Sequence, residues 1–387
     1  MVYYLSILSF LFVFTALDSK TNSKSYNFRH AIFLYITILL LLLLRTFVKI
    51  DLLPDLGYYK DLFDECANND IHDVLLLGLS GRELGYVLLS TICRWVSSSF
   101  YFELFVIGLI VLFSYLRTIE RYSESFWFSI LIFFITIYPS STYILRQYLA
   151  MSLLFLSINS IVERKTFTFF VIMLISFSIH HSTIVWLPMY FLYGIRKPKL
   201  LTLLLVIFAA MIFAINSMFS EVLIGMGESF ERYQRYLDSD TITTSYWGVI
   251  LNTFYLIVFI VQYKEKVFDD GINRLLLIGA VISVLLSLIS INGVGHLFRL
   301  LVIFTQMSIL LLPKLFTRLK DGNMRLLMAI ILLVVNILPS YMVERDFHMT
   351  QFYHAGDFLL FLTIVSPLVV IPFIYKKKKR FLSTMNQ

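Results

Sequence analysis

The feature that most constrains this chain is a series of apolar runs, each about twenty residues long, that recurs along its whole length. An α-helix needs about 20 consecutive apolar residues to cross the hydrocarbon core of a bilayer. Hydrophobic residues make up 59% of the sequence and charged residues 15%, whereas soluble domains carry about a quarter charged residues. The runs lack the strict alternation of an outer-membrane barrel. The sequence therefore predicts an all-α, polytopic membrane protein with a single domain over residues 1–387.

The number of apolar runs predicts about 13 transmembrane helices, with 12 and 14 as the alternative counts. They lie at roughly residues 2–17, 31–48, 100–116, 125–140, 147–162, 166–180, 183–195, 200–218, 246–263, 274–291, 297–312, 325–340 and 358–375. Several runs are shorter than about twenty residues, so tilted spans or half-spans lined by protein are expected.

Basic residues predict the orientation of these spans, because cytoplasmic loops are enriched in Lys and Arg. The five basic residues at 376–380 place the tail 376–387 in the cytoplasm. Alternation back from this tail puts most of the 32 Lys and Arg residues on the same side. The first outer loop, 49–99, and the larger outer loop, 219–245, are then mainly acidic. The net charge of +7 therefore reflects membrane topology and does not indicate nucleic-acid binding.

Residues 84–97 do not fit this alternation. If they crossed the membrane, the basic and acidic loops would exchange sides over much of the chain. The run is short and contains Arg94 and Trp95, and such basic and aromatic residues favour the headgroup layer. We therefore predict an interfacial or re-entrant helix near residues 84–97 on the outer face.

Two polar clusters interrupt the apolar sequence and fall on the same predicted outer side. Arg146 stands in an apolar run, and His180, His181 and Ser182 follow the next predicted span. Charged groups in a membrane are costly and mark functional sites. A guanidinium binds phosphate through paired hydrogen bonds, and an imidazole can act as a general base. Arg146 could instead reach from a helix end to the headgroups, and either histidine could be the active one.

Further residues on the outer side complete the candidate site. Asp55 and Glu83 are carboxylates able to activate a hydroxyl, and Arg299 is a cation inside an apolar run. With Arg146 and His180, these two carboxylates are the predicted catalytic residues. The predicted substrate contacts are Tyr58, Gln147, His181, Ser182, Arg232, Tyr233, Tyr236 and Arg299.

We expect neither a metal nor a cofactor. The two cysteines, Cys66 and Cys93, form no ligand pattern, and the histidine pair lacks a third ligand at a suitable spacing. A GxxxxGK[ST] phosphate loop does not occur in the sequence. Chemistry at the outer face then requires a substrate that is already activated and already present there. A polyprenyl-linked sugar meets both conditions.

Four short motifs carry a family resemblance. They are Asp55-x-x-Tyr58-Tyr59, Glu83-x-Gly85-Tyr86, Arg146-Gln147-x-x-Ala150 and His180-x-Ser182, spread over residues 50–195. In these motifs the chain resembles the EpsG/Wzy-type polysaccharide polymerases of bacteria. The resemblance implies a bundle similar to GT-C glycosyltransferases, in which short helices of the first outer loop lie on the membrane.

The resemblance also implies a reaction and its partners. The reaction is polymerisation of undecaprenyl-diphosphate-linked oligosaccharide repeat units at the outer face of the cytoplasmic membrane. Arg146, with Arg299 as a second candidate, would hold the lipid pyrophosphate, and Asp55, Glu83 or His180 would accept a proton. Membrane lipid is a further partner, and a chain-length regulator is a candidate protein partner.

Two other functions remain as alternatives. An O-antigen ligase or a single-addition glycosyltransferase would use the same lipid donors and has similar hydropathy. A flippase or exporter of lipid-linked sugars is the alternative from a different class. Transporters place charged or broken helices near the membrane midplane, often in repeated halves. The polar residues here lie mostly near the outer ends of the runs and no halves repeat, so the sequence favours the polymerase.

Overall fold

The computed structural model of the protein describes residues 28–48, 50, 53–68, 72, 83–225, 246–263, 270–290 and 296–318. Their regular secondary structure is helical, as predicted. In chain order the α-helices are α1 (Phe28–Thr46), α2 (Pro54–Glu65), α3 (Leu84–Val96), α4 (Phe100–Tyr122), α5 (Phe126–Thr136), α6 (Tyr138–Ser141), α7 (Leu145–Val162), α8 (Thr166–Ile179), α9 (Pro188–Gly194), α10 (Pro198–Gly225), α11 (Tyr246–Tyr263), α12 (Gly271–Ser290), α13 (His296–Thr305) and α14 (Ser308–Thr317). Short 3-10 helices cover Cys66–Asn68 and His181–Trp186.

Three helices in the described ranges are long and apolar enough to cross a membrane: Phe100–Tyr122, Leu145–Val162 and Gly271–Ile289. The outside of the bundle is apolar as well, with Phe167 of α8 83% exposed and Leu174 69% exposed. Soluble monomers avoid large exposed apolar surfaces. The prediction of an all-α membrane protein is therefore confirmed.

The total of about 13 spans stays a prediction. The predicted spans 2–17, 325–340 and 358–375 lie outside the described residues, as do most of the larger outer loop 219–245 and the tail 376–387. In the first outer loop, 49–99, the structure describes α2, α3 and the short 3-10 helix between them. The predicted interfacial segment 84–97 is indeed helical, as α3.

Two predicted spans are interrupted near a proline. The run 125–140 consists of α5 and α6, with Pro139 in the first turn of α6. The run 183–195 consists of the second 3-10 helix and α9, which begins at Pro188. Proline has no amide hydrogen to continue a preceding helix, although it is tolerated in a first turn. Hydropathy cannot detect such breaks, because both pieces are apolar.

A third predicted span, 297–312, is divided into α13 and α14. At the break, Thr305 Oγ1 donates to the carbonyl oxygen of Val302 at 3.0 Å, and Gln306 Nε2 donates to that of Ile303 at 2.8 Å. These bonds occupy carbonyl oxygens at the end of α13, where the backbone ladder stops.

The α7–α8 hairpin sets the geometry of the site. Its turn is a Schellman motif, in which the Arg164 amide donates to Ile161 and the Lys165 amide to Ser160. Arg164 has a φ of 57°, which costs a non-glycine residue roughly 1 kcal/mol. Its guanidinium donates to the Tyr190 carbonyl at 2.8 Å and lies over that ring, which offsets the cost. The two helices are therefore antiparallel.

Charged residues gather at the end of the bundle that holds this turn, which we call the basic end. Arg121 forms an ion pair with Glu163, and Lys314 Nζ lies 2.5 Å from Asn273 Oδ1. Lys314 is buried. Lys314 also lies 3.5 Å from Glu124, so these contacts join described residues of four segments that the sequence predicts on one side of the membrane: 117–124, 163–165, 264–274 and 314–325.

Candidate active site

The carboxylate of Glu83 joins three of the four predicted catalytic residues. Its Oε2 lies 2.7 Å from Arg146 Nη1, and its Oε1 lies 2.7 Å from His180 Nδ1. The backbone amide of His181 donates to the same Oε1 at 3.3 Å. One buried carboxylate therefore binds the guanidinium and the imidazole together. We call the end of the bundle with this cluster the site end.

Helix ends place these groups. Arg146 lies in the first turn of α7 and His180 directly follows α8, so the antiparallel hairpin brings both to one end. Glu83 precedes α3, and its carbonyl accepts hydrogen bonds from the amides of Tyr86 and Val87. A negative charge at a helix N-terminus is also favoured by the helix dipole.

Gly85 allows α3 to approach α8 closely. A Cβ added to Gly85 would lie 2.9 Å from the backbone carbon of Ser178 and would collide with the Ser178 side chain. Only a residue without a side chain fits this contact. Because Ser178 stands two residues before His180, the contact also brings Glu83 to the imidazole.

Two tyrosines of α2 surround the Arg146 guanidinium. Its Cζ lies 5.6 Å from the ring centre of Tyr58 and 5.5 Å from that of Tyr59, which is within the range of cation–π attraction. Its Nε also donates to the Tyr59 hydroxyl at 3.5 Å. The Arg146 side chain remains 29% exposed. It is therefore held in place without being sealed from substrate.

The partners of Glu83 control its charge. Burial by itself raises the pKa of Glu83, but the hydrogen bond and electrostatic interaction with His180 and the charge of Arg146 outweigh burial, so that its pKa lies below the usual value. Burial raises the pKa of Tyr59 in spite of the nearby Arg146 charge. At neutral pH the cluster therefore contains an ionised Glu83 and a neutral Tyr59.

The imidazole of His180 is oriented by this carboxylate. An ionised Glu83 can only accept a hydrogen bond, which assigns the proton to Nδ1 of His180. The other nitrogen, Nε2, is buried and has no hydrogen-bond partner within the described part of the chain. The hydroxyl of Ser182 is in the same state. A carboxylate that orients an imidazole with a free nitrogen is the arrangement of a general base.

The other predicted site residues are placed less closely. Asp55 is exposed on α2, one turn before Tyr59, and its charge acts on that tyrosine. Gln147 is buried directly after Arg146. Arg299 belongs to α13, but its side chain lies outside the described part of the structure. Arg232, Tyr233 and Tyr236 also lie outside the described residues.

Three residues near the site were not among those predicted. Tyr59 contacts Arg146 directly, and its position beside Tyr58 in one motif was the available signal. Arg45 is fully buried and donates from Nη1 to Ser141 Oγ at 2.7 Å, in the turn that leads into α7. Glu103 is fully buried in the first turn of α4. An acidic residue at the start of an apolar run was the signal for it.

The described residues contain no group of three or more His, Cys, Asp or Glu side chains that could hold a metal ion. Cys66 and Cys93 are both buried free thiols. The described cluster can supply charge stabilisation by the Arg146 guanidinium and proton transfer by the oriented His180 imidazole.

Comparison with known proteins shows the family to which the chain belongs. The chain matches no curated protein and no solved structure. A model of the EpsG family matches residues 30–355, a range that includes Glu83, Arg146 and His180 and most of the chain. This protein therefore belongs to the EpsG family, the family of Wzy-type polysaccharide polymerases.

Proposed function

We propose that this protein polymerises undecaprenyl-diphosphate-linked oligosaccharide repeat units into surface polysaccharide at the outer face of a bacterial cytoplasmic membrane. Family membership supports the polymerase role. The observation that carries the proposal of an active site is the position of Glu83, with one oxygen on Arg146 and the other on His180. No soluble nucleotide is required, since the lipid-linked donor is already activated.

The reaction is a glycosyl transfer between two lipid-linked glycans. The bond between the anomeric carbon of the donor sugar and its pyrophosphate oxygen breaks, and the pyrophosphate leaves with the electron pair. A hydroxyl oxygen of the acceptor forms the new bond to that carbon. The hydroxyl proton passes to Nε2 of His180, while Glu83 stabilises the imidazolium through Nδ1.

The contacts of Glu83 favour His180 over the other candidate bases. Both Glu83 oxygens are engaged, and its lowered pKa makes it a weak proton acceptor. Asp55 is exposed on α2, where it is suited to bind a sugar hydroxyl. His180 retains a nitrogen that no described group uses.

Arg146 stabilises the leaving pyrophosphate. A guanidinium has five N–H donors, and the contacts with Glu83 and Tyr59 use one on Nη1 and the one on Nε. Further donors can therefore bind phosphate oxygens while the side chain stays anchored. Paired, charge-assisted hydrogen bonds of this kind lower the energy of the charge that develops as the bond breaks.

The remaining predicted contacts are assigned to the sugars and the second phosphate. Tyr58, Gln147, His181 and Ser182 lie around the cluster and would bind donor or acceptor sugars. Arg299 would bind the pyrophosphate from α13, whose Phe304 ring packs 5.4 Å from Trp186 of the 3-10 helix that follows His180. Arg232, Tyr233 and Tyr236 are proposed to contact the glycan chain.

The amphipathicity of α3 supports its assignment as an interfacial helix. Its exposed apolar residues form a stripe: Leu84, Leu88, Ile92, Trp95 and Val96. Its buried face instead contains the polar residues Ser90 and Thr91. The buried face also contains Tyr86, Val87 and Cys93, so both faces of α3 carry apolar residues. The stripe would rest among lipid headgroups and acyl chains.

We also propose the membrane topology derived from charge. The basic end would face the cytoplasm together with the tail 376–387, and the site end would face outward, in a GT-C-like bundle of about 13 spans. The contacts among basic segments at one end support this orientation.

The test is a deletion of the gene in its native host, followed by complementation and analysis of surface glycan. The deletion strain should carry single repeat units, and the wild-type gene should restore a ladder of polymer lengths. Arg146→Ala should fail to restore it at normal protein abundance. The matched control is Arg117→Ala, which removes an exposed arginine paired with Glu120 near the basic end. A normal ladder with Arg146→Ala contradicts the proposal.

The same experiment separates the alternative functions by their products. If the gene encodes a ligase, its deletion leaves polymer on the lipid carrier, and if it encodes a single-addition transferase, its deletion omits one sugar; neither changes the ladder. If the gene encodes a flippase, its deletion leaves single repeat units at the cytoplasmic leaflet. If it encodes the proposed polymerase, its deletion leaves lipid-linked single repeat units at the outer leaflet.

A further inference from the structure

Glu103 is a buried acidic residue that the proposed mechanism does not use. It lies in the first turn of α4, its side chain is fully buried, and its Oε1 accepts a hydrogen bond from Ser90 Oγ at 2.7 Å. Burying an ionisable group costs free energy, and an apolar residue of similar size would often stabilise the fold at least as well. Packing alone therefore does not account for a glutamate at this position.

The partners of Glu103 belong to the helix that supplies Glu83. Ser90 and Tyr86 both lie on the buried face of α3, seven and three residues after Glu83, a spacing that places them along one side of a helix. The hydroxyl of Tyr86 interacts electrostatically with Glu103, although the two groups do not have hydrogen-bond geometry. Glu103 therefore binds α3 through the Ser90 hydrogen bond and acts electrostatically on Tyr86 of the same face.

Tyr86 also connects Glu103 with Arg146. Its ring centre lies 5.4 Å from that of Tyr59, and the Tyr59 hydroxyl accepts the hydrogen bond from Arg146 Nε. Tyr86 and Tyr59 are both buried. Tyr86 thus lies between Glu103, which acts on it electrostatically, and the tyrosine that binds the guanidinium.

The rotation of α3 depends on this buried face. The opposite face is the exposed apolar stripe that begins at Leu84, and contact of this stripe with lipid orients the helix only coarsely, because acyl chains are fluid and make no directional bonds. Specific polar contacts therefore have to define it. A rotation of α3 would carry Glu83 away from one or both of its partners, because Arg146 and His180 belong to other helices.

We propose that Glu103 is a positioning residue for the glycosyl transfer, which sets the rotation of α3 through Ser90 and Tyr86 and so places Glu83 between Arg146 and His180. This inference rests on the proposed function. Glu103 acts through α3 and not on the substrate.

Four variants test the role. Glu103→Leu removes the acceptor oxygens but fills the same space, whereas Glu103→Gln keeps one oxygen for Ser90. Ser90→Ala removes the donor. The matched control is Ser114→Ala, which removes a buried hydroxyl of α4 that has no partner among the described residues.

We expect Glu103→Leu to reach normal abundance and to couple repeat units at least about tenfold more slowly, since small displacements of catalytic groups have effects of this size. The Ser90→Ala variant should also couple repeat units more slowly than wild type. Glu103→Gln should stay within about threefold of wild type, because it retains the hydrogen bond. Ser114→Ala should match wild type. The rate is measured in membrane vesicles that contain the host's own lipid-linked repeats.

The pH profile of this rate separates positioning from a general loss of structure. Glu83 faces Arg146 from α7, His180 after α8 and the amide of His181, and these groups hold its pKa low against burial. If α3 rotates, burial dominates and the pKa of Glu83 rises. The acidic limb of the profile should therefore shift in Glu103→Leu and Ser90→Ala but not in Ser114→Ala.

Three results overturn the inference. One is Glu103→Leu with the wild-type rate and pH profile. Another is Glu103→Gln as slow as Glu103→Leu at equal abundance. The third applies if Glu103→Leu does not accumulate in the membrane. The inference is then tested with Ser90→Ala, and a wild-type coupling rate and pH profile of that variant overturn it. Arg146→Ala is measured in parallel: if it is also normal the proposed function fails, and if it alone is defective only the role of Glu103 fails.

Discussion

Nη1 of Arg146 lies 2.7 Å from Oε2 of Glu83. The guanidinium therefore lies against a carboxylate that also binds the His180 imidazole. The ion pair joins the first turn of α7 to the residue before α3. Because Glu83 is mostly buried, solvent screens the pair less than it would at a surface. The arrangement makes separate predictions for the guanidinium, the imidazole, the carboxylate and the glycine that brings the helices together.

Replacing Arg146 with lysine should slow repeat-unit coupling by about 10²-fold, a typical effect of losing one donor to a developing negative charge. An ammonium keeps the charge but lacks the planar fork that binds phosphate oxygens in pairs. The measurement is the initial coupling rate together with the polymer ladder, at equal protein abundance. Arg121→Lys, at the basic end, is the control and should be normal. A wild-type rate for Arg146→Lys would contradict the pyrophosphate-binding role.

His180→Asn and His181→Asn should have different effects. Asparagine at 180 keeps a donor near the place of Nδ1, so that the contact with Glu83 can persist, but it has no counterpart of Nε2. Loss of a general base costs about 10²–10⁴-fold in rate. The His181 side chain is exposed and only its backbone amide binds Glu83, so His181→Asn, which loses at most a sugar contact, should slow the rate by about tenfold or less. The reverse pattern would assign the base to His181.

Glu83→Gln should lower thermal stability at neutral pH by about 1–3 kcal/mol, the value of hydrogen bonds to charged groups. The folded-state pKa of Glu83 lies below its ordinary value of 4.5. Its stabilisation is therefore present above that value and is lost as the pH falls through the folded-state pKa. The measurement is the difference in melting temperature between wild type and variant in detergent, at neutral pH and below pH 4.5, and this difference should shrink in acid.

The control for this prediction is Asp64→Asn, which removes an exposed carboxylate of α2. Its difference from wild type should be small and similar at both pH values. If the stability difference of Glu83→Gln is also independent of pH, the carboxylate is not stabilised by Arg146 and His180 in the folded protein.

Gly85→Ala should disrupt the site although it adds a single methyl group. The added carbon meets backbone and side-chain atoms of Ser178, and overpacking of this kind costs about 1–3 kcal/mol. It should also separate Glu83 from His180 and lower the coupling rate. Gly57→Ala in α2 is the matched control, because nothing lies within 4 Å of its added carbon. That variant should be as active as wild type, and an equally mild Gly85→Ala would contradict the close helix contact.

Cysteine labelling tests the proposed orientation. Ser98→Cys, after α3, and Lys165→Cys, in the turn at the basic end, are both at exposed positions. The native thiols of Cys66 and Cys93 are buried, which keeps background labelling low. An impermeant maleimide should label Ser98→Cys in intact spheroplasts and Lys165→Cys only after permeabilisation. The opposite result would invert the topology and place the site end in the cytoplasm.

Much of the site could be predicted from residue type alone. Arg146, Glu83 and His180 stand out because charged and imidazole groups are rare in apolar sequence. The contacts of Tyr59 and Glu103 could not be predicted in this way. Tyrosine is common at membrane interfaces, so Tyr59 does not stand out. In the sequence Glu103 is a single acidic residue at the start of a span, and its hydrogen bond with Ser90 is visible only in the structure.

The sequence by itself determined that the protein is an α-helical membrane protein, since twenty-residue apolar runs allow few other structures in a bilayer. It also determined which segments are basic, and hence a predicted orientation. Only the tertiary structure decided where apolar runs break into two helices. It also decided that Arg146 and His180, and not Asp55, contact the Glu83 carboxylate. Hydropathy is a property of consecutive residues, whereas the pairing of Glu83 with Arg146 and His180 depends on helix rotation and on the close contact at Gly85.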